Sequence, residues 1–133
     1  MNHAQRQRFD EMVEAVIEAL PPGLRRLLDE VPVIVLDRPS TQMLSDLGMT
    51  DDEADELCGL HSGTAFTERS VEQSGELPSD IHLFRSGIVE HAGGWETPDA
   101  ADRIREEIEV TLLHEIGHQF GLDEDDLERL GYD

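Results

Sequence analysis

No lysine occurs in this chain: all ten basic residues are arginine, they face 31 aspartates and glutamates, and the formal net charge is −21. A surface this acidic repels phosphate, which opposes binding to nucleic acid or to an anionic membrane, since either needs a basic patch. Cys58 is the single cysteine, which rules out an internal disulfide and any gain from an oxidising compartment. No run approaches the ~18 apolar residues of a membrane span. "MNHAQRQRFDEMVEAVIEAL" likewise lacks the uninterrupted apolar segment of an export signal. These absences point to a cytoplasmic protein. Aromatic residues are scarce, and Trp95 and the four phenylalanines read as core or helix-entry packing.

What is present suffices for a core. With 133 residues, 38% of them hydrophobic, the chain is expected to form one compact domain over 1–133 rather than a disordered polyelectrolyte. The acidic surface either serves solubility alone or favours a cationic substrate or partner.

Phe9, Met12, Val13, Val16, Ile17 and Leu20 recur at steps of three and four, predicting an amphipathic helix over 4–20 that "PPG" at 21–23 stops. "LRRLLDE" reads as a second short helix leading into "VPVIVLD" (31–37), a buried strand by its β-branched density. "PSTQMLSDLG" and "TDDEADELCG" are short helices or turns, opened by capping residues and closed by glycine. The stretch 59–79 is rich in Gly and Ser, with "TAFTERS" as a candidate strand. "SDIHLFRSG" (79–87) alternates as a half-exposed edge strand does. The longest helix is predicted over about 98–120, with Thr97 as cap, Pro98 in first position and Gly121 just past its end.

That last helix carries the chemistry. Ile104, Ile108, Leu112, Ile116 and Phe120 form an apolar stripe at steps of four, broadened by Leu113. His114 and His118 share another side, one turn apart, the spacing that lets two imidazoles converge on one tetrahedral Zn²⁺. Glu115 cannot reach the same coordination position. Its carboxylate falls instead beside the metal-activated water, placed to take a proton from it and deliver that proton to a leaving amine. Random orderings of these residues contain H-E-x-x-H in only about 3% of cases, and about 0.3% with the downstream glycine added. A third ligand is needed, and the turn at Gly121 offers Asp123, Glu124, Asp125 and Asp126.

"HEIGHQFG" followed by "LDEDDLERLGY" resembles the zincin-like metallopeptidases, in particular the very small members called mini-zincins. The similarity extends over nearly the whole chain. It implies an α+β minimal zincin-like fold: an N-terminal helix, a small mixed sheet with an edge strand, and a C-terminal active-site helix. It implies that His114 and His118 are zinc ligands, that Glu115 is the general base, and that Glu124 occupies the third-ligand place. That place holds His in metzincins and usually Asp in the small family, so Asp125 competes with Glu124. No methionine follows the motif to form a Met-turn, and few residues follow His118, so a shallow, open cleft is expected. The resemblance further implies a peptide or protein substrate, held against the edge strand "DIHLF" by strand addition.

His61, His82 and His91 have no partner at ligand spacing and stay outside the expected metal site. Tyr132 and Arg69 are candidate oxyanion stabilisers, and Cys58 reads as a buried small hydrophobe. The leading expectation is a zinc-dependent peptidase. The alternative is a catalytically weak or inactive acidic module that binds metal, and a metal-dependent RNA hydrolase is disfavoured by the missing basic patch.

Overall fold

The computed structural model describes residues 1–61, 80–122 and 124–129. Its elements, in chain order, begin with helix α1 (His3–Ala19), helix α2 (Pro22–Leu27) and strand β1 (Val33–Leu36). Helix α3 (Thr41–Leu47), a 3₁₀ turn (Asp51–Glu56) and strands β2 (Gly59–His61) and β3 (Ile81–Phe84) follow. The chain continues into helices α4 (Arg85–Ala92), α5 (Ala100–Phe120) and α6 (Glu124–Arg129). The class is α+β, with a small mixed sheet and the long helix near the C-terminal end.

Local chemistry sets most of these boundaries. Asn2 and Gln5 close a reciprocal capping box at the start of α1, with Gln5 N–H donating to Asn2 Oδ1 at 2.8 Å. "PPG" does more than stop α1, because Pro22 occupies the first position of α2, where its missing N–H costs nothing. Ser40 caps α3, and Thr50 with Glu53 boxes the 3₁₀ turn.

The three strands run in the order β1-β3-β2, with β1 parallel and β2 antiparallel to β3. This corrects the expectation for "DIHLF". Ile81–Phe84 is the central strand and all four of its residues are buried, because both ladders are filled, Val33 opposite Ile81 and His61 opposite Ile81 on the other side. The predicted strand 31–37 shortens to Val33–Leu36 and is only half-buried, since it lies outermost beside β3. The predicted strand 79–87 ends at Phe84, and Arg85 opens a helix that the alternation concealed. "TAFTERS" lies outside the described residues.

α5 starts at Ala100 rather than 98, with Asp99 as the cap residue; Thr97 contributes its carbonyl, which accepts from Ala100 N–H at 3.1 Å, and not its hydroxyl. One core joins Phe9, Val13 and Val16 of α1, Ile81 and Leu83 of β3, Ile88 of α4, and Ile104, Ile108, Leu112 and Ile116 of α5. His82 and Phe84 alternate to the other face of the sheet, rings stacked 6.2 Å apart.

Arg85 locks the N-terminus of α4. It donates to both Asp10 oxygens at 3.0 and 2.9 Å and to Asp37 at 2.9 Å, while Arg6 reaches Asp37 from α1. Burial of Asp37 would raise its carboxyl, but the bonds from Arg85 and Arg6 outweigh that and hold it below the usual carboxylate range.

Candidate metal centre

The rotation of α5 is set by its apolar residues. Ile104, Ile108, Leu112 and Ile116 are fully buried, so His114 and His118, on the opposite side, emerge into solvent. Their ring centroids lie 4.2 Å apart with planes inclined by 50°. Two imidazoles tilted against each other one turn apart can turn a nitrogen each toward a common point, as two of the four positions around a tetrahedral ion require.

Glu115, between them in sequence, is only 7% exposed. The stem of its side chain lies beneath β2, close to where a Cβ on Gly59 would stand. A groove of about 400 Å³ runs along this seam, lined by His114, Glu115 and Thr111 from α5 and by Cys58 and Gly59 from the facing chain. Glu56, Glu107 and His91 extend the lining away from the imidazole pair. A comparable groove of about 420 Å³ along α1 is lined by Arg6, Asp10 and Arg85, of which Arg85 pairs with Asp10 and Arg6 with Asp37. The reactive combination therefore belongs to the α5 groove.

Cys58 is half-buried, and burial pushes its thiol up, with the carboxylates of Glu107 and Glu115 adding to the effect and a hydrogen bond with Thr111 opposing it. It remains a neutral thiol at neutral pH and forms wall rather than nucleophile.

Zinc suits the two imidazoles by donor type and by spacing. The third donor is less defined. Glu124 opens α6, but its side chain, like all of Asp123, lies outside the described residues. Asp125 is exposed, and Asp126 pairs with Arg129 at 3.3 Å. Among the described residues no three metal-ligating side chains come together. The backbone nevertheless makes the reversal such a ligand needs: Gly121 adopts φ 65°, and Leu122 N–H donates to Gly117 O at 2.8 Å, folding the chain back on the last turn of α5.

His82 is buried in the sheet and His61 lies in β2 with its side chain outside the described residues, as do Tyr132 and Arg69 entirely. His91, set aside on spacing, stands on the groove with its Nε2 4.0 Å from Glu107. Sequence reasoning also passed over Glu107, Thr111 and Gly59. The first two carried a signal, because 107, 111 and 115 form one row at steps of four that ends on Glu115.

No helix among the described residues is long and apolar enough to cross a membrane. A search of curated proteins finds no match to the chain. The family model for zincin-like metallopeptidases matches residues 28–132, a span that runs from the end of α2 through the whole of α5 and α6. The chain belongs to the zincin-like metallopeptidase family.

Proposed function

We propose that this protein is a zinc-dependent peptidase in which His114, His118 and Glu124 hold the metal and Glu115 acts as general base. The observation that carries the reading is the placement of one buried carboxylate, Glu115, on the same groove as the exposed imidazole of His114. A bound zinc ion would supply Lewis acidity to water and to the scissile carbonyl. Glu115 takes a proton from the attacking water and returns it to the leaving nitrogen, and its enclosure under β2 keeps the carboxylate from swinging into solvent. His114 and His118, anchored by the buried isoleucine stripe behind them, hold their relative geometry without help from substrate. The substrate is a peptide or protein segment lying in the groove, with basic side chains favoured by Glu56 and Glu107.

The test is a peptide-library digest with the zinc-loaded protein and its Glu115→Gln variant. Cleavage by the native chain, reduced at least about 100-fold in Glu115→Gln with zinc content retained, is the expected result. Equal cleavage by the two proteins would sink the mechanism. Stoichiometric zinc with no cleavage by either would leave only a metal-binding module.

A further inference from the structure

Gly59 is not at positive φ, the usual reason for a glycine at a fixed point; among the described residues the glycines at positive φ are 48, 93, 94 and 121. What Gly59 requires is room. A Cβ there would stand 2.8 Å from Thr111 Cγ2, 3.1 Å from Glu115 Cγ and 3.2 Å from the His82 carbonyl oxygen. Carbon atoms prefer about 3.5–4.0 Å. The bare backbone of β2 therefore rests directly on two side chains one turn apart on α5, and one of them is Glu115.

The two neighbours would respond differently to an added methyl. Thr111 is buried and its hydroxyl is hydrogen-bonded with Cys58, so it has little means of yielding. Glu115 has a longer, unbranched stem and would move, carrying its carboxylate with it. On the far side β2 is held by its ladder, with Gly59 opposite Leu83 on the fully buried strand β3 and Phe84 N–H donating to Cys58 O at 2.9 Å. The strand cannot simply lift away.

We infer that Gly59 is a positioning residue for Glu115: the missing side chain lets β2 press against the glutamate stem and fixes where its carboxylate stands beside His114. This rests on the reading of Glu115 as general base. A residue acting only through packing would change stability and leave turnover alone, whereas a positioning residue changes kcat with little effect on KM or on metal binding.

The experiment compares the native full chain with Gly59→Ala, and Thr111→Ser with Gly59→Ala/Thr111→Ser. In the second pair the methyl that an alanine strikes first is gone and the approaches to Glu115 Cγ and to the His82 carbonyl oxygen remain, so this pair carries the test if Gly59→Ala does not fold. Each protein is crystallised, titrated with zinc, melted, and assayed on the peptide the native chain cleaves. The expected result is a displaced Glu115 carboxylate and a kcat loss of about tenfold or more, with KM and zinc affinity within about twofold, since small misplacements of a reacting group cost rates of this order. An unmoved Glu115, or a melting shift with kcat intact, overturns the inference. If the native chain cleaves no peptide, the peptidase reading fails, while displacement of Glu115 in the crystals still decides the positioning role.

Discussion

His114 and His118, one turn apart on α5, approach to 4.2 Å between ring centroids. Two imidazoles this close offer a pair of nitrogen donors to one ion. Zinc is therefore expected to raise the melting temperature of the native protein, because a ligand that binds only the folded state at about 100 times its Kd adds roughly 2.7 kcal/mol. His114→Ala should lose that response and more affinity than the about 10–100-fold typical of removing an outer partner. Calorimetry with and without a chelator checks both. An equal zinc shift in His114→Ala would place the metal elsewhere.

Arg85 binds Asp10 and Asp37 at once, and its own side chain is only 13% exposed. Truncation to Ala is expected to cost about 1–3 kcal/mol, at the lower end if the two half-exposed carboxylates rehydrate well. Arg85→Lys should recover little, because a single ammonium cannot fork across both acids. Urea unfolding of the three proteins gives the comparison.

Burial lowers the imidazole of His82 below its ordinary value of 6.5, with Asp80 opposing. Its Nδ1 is buried without a hydrogen-bond partner among the described residues. The unfolded chain therefore takes up this proton first as pH falls. Stability from the neutral ring is fully present above 6.5 and is lost as pH drops through the folded value. Asp37 adds a second loss at lower pH, because its depressed carboxyl contributes above its ordinary 3.8 and ceases to as pH falls through its folded value. His82→Phe, which keeps the stack on Phe84, should flatten the first decline and leave the second. Denaturant midpoints measured from pH 8 to pH 3 would show it.

A Cβ on Gly87 would overlap the Leu57 carbonyl. Gly87 lies within α4, where exchange for Ala ordinarily gains up to about 1 kcal/mol of helix propensity. Here the sign should reverse, with a net loss of about 1–3 kcal/mol as the helix is forced off the residue that closes the 3₁₀ turn before β2. An alanine variant more stable than the native chain would refute the close approach.

The long helix is legible in the sequence because its isoleucines repeat at steps of four and Gly121 ends it with a left-handed residue, and the same arithmetic places both histidines on one side. The sheet is less so. Alternation of Ile81 and Leu83 with polar His82 implies one wet face, yet His82 is 7% exposed and Phe84 is buried, so β3 is central. β2 is three residues long and begins with glycine, too short to show any period. The enclosure of Glu115 depends on which segment crosses α5, and nothing near residue 115 encodes that Gly59 does so. The acids at 123–126 have no periodic partner to fix their directions, which leaves Glu124 and Asp125 competing for one role.

The histidine pair and the covering of the glutamate mature on different schedules. The first needs only a turn of helix, which forms in well under a microsecond once its residues are free to coil. The second needs a strand from the fifties to pair with one from the eighties and then to meet residues beyond 110, a long-range assembly that is slow by comparison. One turn of α5 thus sets the spacing of His114 and His118, whereas the seat of Glu115 is complete only once the sheet is.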